Sequence, residues 1–182
     1  MYFIKTERLI LREFGPLDAP ALEAIFGDVE VMKYGPGVQT PEQIAKWIDD
    51  CIQEYARYEC GPWAVLEKST HDLIGYCGLF HFADLGGQAE VELGYRLARA
   101  SWGQGYATEA AAAARDYAFE ALGLDRLVSL IDPENTASLR VAQKLGMHFE
   151  REIMLPGYSH PDQLYTIMKQ QWREKYGNDS ER

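Results

Sequence analysis

Residues 101–109, Ser-Trp-Gly-Gln-Gly-Tyr-Ala-Thr-Glu, join a strand-like run to a long alanine-rich helix. This junction constrains the fold more than any other stretch. Two glycines, two residues apart, free the backbone from Cβ sterics where the chain must turn sharply. Beyond them Ala107, Ala110, Ala111, Ala114, Ala118 and Ala121 recur on a helix that Gly123 ends. Small residues let such a helix lie close on a sheet. The first amides of the helix have no intrahelical partner and carry the positive end of its macrodipole. The turn is therefore an anion site, best suited to a phosphate or pyrophosphate, and it points to a phosphorylated cofactor.

The rest of the chain reads as alternating elements around one sheet. Leu9 to Phe14 is a first strand. A helix over Ala19 to Phe26 follows, with Asp18 as its expected cap. Thr40-Pro41-Glu42-Gln43 opens a second helix to about Tyr58, whose Ile44, Trp47, Ile48, Cys51, Ile52 and Tyr55 describe one buried face. Trp63 to Glu67 and Leu73 to Phe80 read as hairpin strands, and Ala89 to Leu97 as the next. After the alanine-rich helix, Leu127 to Ile131 is nearly all apolar, as expected of a strand covered on both faces. A short helix over Asn135 to Leu145 stops at Gly146. Met147 to Leu155 and Gln163 to Lys169 are the last strands, and residues 177–182 are a polar tail. The expectation is one α/β (α+β) domain over 1–182, with seven strands and four helices.

Totals exclude several classes. The chain of 182 residues has 18 basic and 28 acidic side chains, for a formal charge of −10. That balance argues against nucleic acid as the main partner. No stretch approaches the roughly 18 unbroken apolar residues of a membrane span. The three cysteines, Cys51, Cys60 and Cys77, lack metal-ligand spacing, and their odd count without a secretory leader suggests reduced thiols in a cytoplasmic protein.

The order of elements, with the turn Trp102-Gly103-Gln104-Gly105-Tyr106-Ala107, resembles the GCN5-related N-acetyltransferase (GNAT) superfamily. Three segments resemble its ribosomal-protein (RimJ/RimL-like) branch more narrowly. They are Thr6-Glu7-Arg8-Leu9-Ile10-Leu11-Arg12, the run Trp102 to Ala110, and Asn135-x-x-Ser138 followed by Lys144-Leu145-Gly146. The resemblance covers about residues 5–170. It implies a mixed, mostly antiparallel sheet, splayed between its fourth and fifth strands, here the strand ending at Leu97 and the strand from Leu127. It implies acetyl-coenzyme A as cosubstrate and transfer of its acetyl group to a primary amine. One departure is that Trp102 stands where the superfamily's phosphate turn usually begins with Gln or Arg, so main-chain amides must do more of the phosphate binding.

By this resemblance the amides of Gln104, Gly105, Tyr106, Ala107 and Thr108 take the pyrophosphate, and the Thr108 hydroxyl adds a contact. The backbones of Tyr95 and Leu97 pair with the pantetheine arm as an added strand does, and Arg99 reaches a phosphate unless it is a solvated surface charge. Two jobs are open to Asn135 and Ser138. One is local capping of the helix that they begin. The other, which the family implies, sets Asn135 on the pantetheine and Ser138 near the thioester sulfur, where it is the first acid candidate for the leaving thiolate.

Acetyl transfer needs a neutral amine, a donor for the tetrahedral oxyanion and a proton for the departing thiolate. Glu92 is the candidate base, with a solvated strand carboxylate as the alternative. Tyr158 is a second acid candidate, since a phenol near its reference pKa of about 10 can protonate a thiolate. The Leu97 amide is the candidate oxyanion donor. His81 and His148 titrate in a useful range but read as structural or surface groups. No metal-ligand set is recognised, so no metal is expected.

The acceptor pocket should form from the first two helices, their connection over Val31 to Thr40, and the loop from Gly157 to Gln163. Met32, Tyr34, Trp63, Phe80 and Phe82 are candidate lining residues, and Asp28 and Glu30 are candidate attractors of an amine. The acceptor is a small amine, a peptide or a protein N-terminus, and the protein is a monomer or homodimer. An alternative reading keeps the fold as a non-catalytic acyl-coenzyme A sensor.

Overall fold

The computed structural model describes residues 3–157 and 159–177. Its elements are β1 (Phe3–Lys5), β2 (Leu9–Arg12), α1 (Ala19–Phe26), α2 (Pro41–Tyr58), β3 (Pro62–Glu67), β4 (Leu73–Phe82) and β5 (Glu90–Leu97). They continue with α3 (Tyr106–Glu120), β6 (Arg126–Ile131), α4 (Thr136–Lys144), β7 (His148–Ile153), β8 (Asp162–Met168) and α5 (Lys169–Tyr176). The strands form an eight-stranded sheet in the order β1-β2-β3-β4-β5-β6-β8-β7. The pairs β1–β2, β2–β3, β3–β4, β6–β8 and β7–β8 are antiparallel, and β5–β6 is parallel. The α/β class, with a mixed and mostly antiparallel sheet, is as expected. The additions are β1, too short at three residues to show a period, and α5.

The chain divides into two compact units, Met1–Phe80 with Gly94–Ala114, and His81–Leu93 with Arg115–Arg182. In the first, Phe14, Leu22, Ile25, Phe26, Met32, Ile44 and Ile48 bury a common core, with Trp47 and Tyr76 packed against it. The expected capping box starts α2: the Gln43 amide donates to Thr40 Oγ1 (3.3 Å) and the Thr40 amide to Gln43 Oε1 (2.8 Å). Ile52 leaves the expected buried face and is 38% exposed. Asp18 does not cap α1 with its side chain. Its carboxylate is held instead by Arg12 at 2.6 and 2.7 Å and by the Gly15 amide at 2.9 Å.

The second unit has its own apolar cluster of Leu85, Val128, Ile153 and Leu164. Here the end of α3 is fastened to α5 by two contacts and to the end of α4 by a third. Trp172 Nε1 donates to Asp116 Oδ1 (2.7 Å), Arg115 lies 4.0 Å from the Tyr176 ring centroid, and Arg115 Nη1 donates to the Leu145 carbonyl (2.9 Å).

Candidate active site

The glycine turn is built as its sequence requires. Gly103 and Gly105 both adopt positive φ, +73° and +82°, in the left-handed region where a side chain is strained. The first helical bond of α3 runs from the Glu109 amide to the Gly105 carbonyl (3.0 Å). Among the described residues, no protein carbonyl accepts from the amides of Gln104, Gly105, Tyr106, Ala107 or Thr108. These five donors, with the helix dipole behind them, suit an anion. Trp102 does not supply a donor to the turn: its Nε1 donates to the Leu97 carbonyl (2.8 Å) and its ring is 49% exposed. Arg99, at the start of a short 3-10 turn, is exposed. Tyr95 and Leu97 lie on β5, and Leu97 is buried.

The Thr6-Glu7-Arg8 segment turns out to fasten this turn. Glu109, in the first turn of α3, accepts from Thr6 Oγ1 (2.6 Å), the Arg8 amide (2.8 Å) and Arg8 Nε (2.7 Å). Arg8 Nη1 donates to the Gln104 carbonyl (2.9 Å), and the guanidinium lies over the Tyr106 ring at 4.5 Å. The Tyr106 hydroxyl in turn donates to Glu67 Oε1 (2.8 Å). Partial burial opposes the charge on Glu109, but the bonds from Thr6 and Arg8 outweigh it and hold its carboxyl below the ordinary value. A carboxyl depressed in the folded state contributes stability above its unfolded pKa and loses it as pH falls through the folded pKa.

Glu109→Ala should therefore cost ~1–2 kcal/mol, discounted for the half-exposed arginine. The thermal midpoint falls by roughly 2–8 °C at neutral pH, by differential scanning calorimetry, and by less in acid.

In the second unit, β5 and β6 are registered at Glu92↔Val128. Past that point side chains take over the backbone bonds. Ser129 Oγ donates to the Leu93 carbonyl (2.7 Å), and the Leu130 amide donates to Glu92 Oε1 (3.3 Å). The Glu92 carboxylate is thus held on the strand end and is not merely solvated. Asn135 caps α4, its Oδ1 accepting from the Ser138 amide (3.1 Å), so the local job read for that pair is filled. Tyr158 lies outside the described residues.

Sequence reasoning did not foresee that Asp132, His160 and Asp162 come together here. One imidazole nitrogen and one oxygen from each carboxylate lie within 4.8 Å of one another. His160 Nε2 is 3.0 Å from Asp132 Oδ2. His160 and Asp162 are two residues apart, but Asp132 lies about thirty residues earlier, just past β6, and nothing in the sequence links it to them.

The first unit holds a cavity of about 230 Å³ whose walls include Phe26, Trp47, Tyr76, Met32, Gln43 and Arg96. Of the expected lining residues, only Met32 borders it; Trp63 is core, 1% exposed. The aromatic walls meet edge to face, Phe26–Trp47 at 5.2 Å and Phe26–Tyr76 at 5.9 Å between centroids. Arg96 donates to Met32 Sδ (2.7 Å) and to the Tyr34 carbonyl (3.5 Å). Asp28 closes a turn, its Oδ1 accepting from the Glu30 and Val31 amides (2.8 and 3.3 Å). Burial pushes all three thiols up, that of Cys60 to about 12, so none is poised as a nucleophile.

Comparison with known proteins agrees with this geometry. Residues 8–148 match the model of an acetyltransferase (GNAT) domain. An uncharacterized protein of Bacillus subtilis, YkkB, is 36% identical over 81% of this chain and 86% of its own length. The uncharacterized N-acetyltransferase p20 of Bacillus licheniformis is 33% identical over 87% of this chain and 88% of its own. A crystal structure of a GNAT-family acetyltransferase from Bacillus anthracis superposes with a TM-score of 0.79 at 30% identity, covering 93% of this chain and 99% of that one. With this match over most of its length, and relatives of this similarity, the chain belongs to the GNAT family of acetyltransferases.

Proposed function

We propose that the protein transfers an acetyl group from acetyl-coenzyme A to a primary amine by direct attack in a ternary complex. The observation that carries this reading is the set of five unpartnered amides, Gln104 to Thr108, at the start of α3. They bind the diphosphate, and the Arg8–Glu109 network holds them in place. Tyr95 and Leu97 offer main-chain groups to the pantetheine amides, while Asn135 and Ser138 engage the arm toward the thioester. Arg99 adds charge near the phosphates. Acetyl-coenzyme A supplies an activated acyl carbon. Glu92 takes the proton of the attacking amine, the Leu97 amide meets the oxyanion, and Ser138 or Tyr158 returns a proton to the thiolate. The buried thiols support attack without an acetyl-enzyme. Among the described residues, no helix is long and apolar enough to cross a membrane.

The aromatic cavity is the acceptor site in this reading. Its charged wall, Arg96, disfavours a polycation and suits an amine that also carries a carboxylate or a similar anionic group beside an apolar body. A small molecule, a peptide or a protein N-terminus can all present that chemistry. Release of free thiol, followed across a panel of amines, tests the reading. Aromatic amino acids and acidic N-terminal peptides should turn over faster than spermidine. Glu92→Gln should lower kcat by about 100-fold while coenzyme A affinity by calorimetry stays within twofold of the parent. A rate that survives in Glu92→Gln would remove Glu92 as base, and silence across the whole panel would remove the acyl-transfer reading.

A further inference from the structure

The Asp132–His160 contact leaves a third group unexplained. Asp162, the first residue of β8, is only 8% exposed, and its Oδ1 is buried with no hydrogen-bond partner among the described residues. Native structures rarely leave a buried carboxylate oxygen unmatched, because its lost hydration must be replaced. The nearby carboxylate, Asp132, has a side chain only 16% exposed and makes the position worse for a second negative charge. Two carboxylates and an imidazole crowded this way want a cation among them.

We propose that Asp132, His160 and Asp162 form a binding site for one divalent transition-metal ion of the zinc type. The ligand chemistry selects the class. An imidazole nitrogen with two carboxylate oxygens suits zinc and its neighbours, whereas magnesium and calcium prefer oxygen donors alone. Bond lengths of about 2.0–2.2 Å to such an ion bring ligand atoms to roughly 3–3.6 Å from one another. The present cluster, within 4.8 Å, reaches that by a small side-chain shift. The partly exposed imidazole gives the ion an entry path, with 45% of its side chain open to solvent. Ser159 Oγ, 3.3 Å from His160 Nδ1, orients the ring from its far side, as outer partners of metal-bound histidines do.

Three protein ligands leave a position for water or an incoming group. The ion would fasten the segment 159–162 to the end of β6. Asp132 also receives the Asn135 amide on its carbonyl (2.9 Å), so the ion would stiffen the approach to α4. This departs from the expectation of no metal, which considered sequence spacing alone.

The test uses the full chain, stripped with a chelator and titrated with zinc chloride against a chromogenic competitor. One equivalent should bind, and zinc should raise the thermal midpoint. Asp162→Asn and His160→Gln should each weaken uptake by roughly tenfold or more. Asp162→Asn removes a buried charge and should fold, and His160→Gln changes an exposed side chain, so each variant checks the other. Magnesium at the same concentration should not compete. No zinc uptake, uptake undiminished in both variants, or equal competition by magnesium would each overturn the assignment and leave a hydrogen-bonded acid–imidazole cluster.

Discussion

Gly105→Val is expected to weaken coenzyme A binding by about 100-fold or more while leaving a folded protein. Gly105 holds φ at +82°, where a β-branched side chain is a steric outlier. The space around it is not the obstacle: a Cβ there would meet only Arg8 Nη2, at 3.5 Å. The strain itself costs about 1–2 kcal/mol and relaxes by rotating the peptide units on either side. Those units carry the amides of Gly105 and Tyr106, two of the five donors proposed to hold the diphosphate. Each charge-assisted bond is worth about 1.5–3 kcal/mol net, so misdirecting two of them lowers affinity by about 100-fold or more. Gly123→Ala provides the control. Gly123 has φ +70° with open space around it, at the far end of α3. It should carry a similar strain cost, read as a lowered thermal midpoint, with coenzyme A affinity unchanged by calorimetry. Equal loss of binding in both variants would mean that general destabilisation, and not the geometry of the amides, governs uptake.

The turn and its helix were legible because their information is local. Two glycines, free amides and a run of alanines lie within about twenty residues, and no distant partner is needed to decide their conformation. The start of α2 was legible for the same reason, since Thr40 and Gln43 satisfy each other's amides. Where a distant group competed, local reading failed. Asp18 has the residue type and place of a helix cap, but Arg12 offers a charged partner on the neighbouring strand and wins. Trp63 looked available to line a pocket, yet β3 lies inside the sheet and its ring is nearly sealed from water.

Thr6 and Arg8 were recognised only by family resemblance. Their task, gripping Glu109 about a hundred residues away, exists only once β2 and α3 are in place. The helix α5 escaped because no glycine or proline separates it from β8. Its signal, Trp172 and Tyr176 one turn apart, needs the Phe119 and Arg115 partners to be read as a buried face. The Asp132–His160–Asp162 cluster was invisible on the same grounds: only the pairing of β6 with β8 brings Asp132 to the His160–Asp162 pair.

Arg126→Met should produce a loss of stability far larger than its partly exposed position suggests. Arg126, at the start of β6, donates through Nε to both oxygens of Glu90 (3.1 Å each). Its Nη1 and Nη2 donate to Glu150 on β7 at 2.8 and 3.1 Å. The Glu90 side chain is only 3% exposed, while the arginine itself keeps 24% in contact with water. Removing the guanidinium leaves Glu90 buried, with the Gln88 amide as its remaining partner among the described residues. An uncompensated buried charge costs about 3–5 kcal/mol, which for a chain of this size lowers the thermal midpoint by roughly 6–20 °C.

The double variant Arg126→Met/Glu90→Gln separates charge from packing. It should recover much of the loss, because the amide is neutral and keeps its contact with Gln88. The pH dependence has a defined sign. The hydrogen bonds from Arg126 hold the Glu150 carboxyl below its ordinary value, against partial burial. That share of stability is fully present above the unfolded carboxyl pKa of about 4.3 and is lost as pH falls through the lower folded value. The gap between parent and Arg126→Met should therefore be widest near neutral pH and should narrow in acid. A gap that stays constant from pH 7 to pH 3, or a double variant no more stable than the single one, would mean that Arg126 acts through its aliphatic stem and not through its charge.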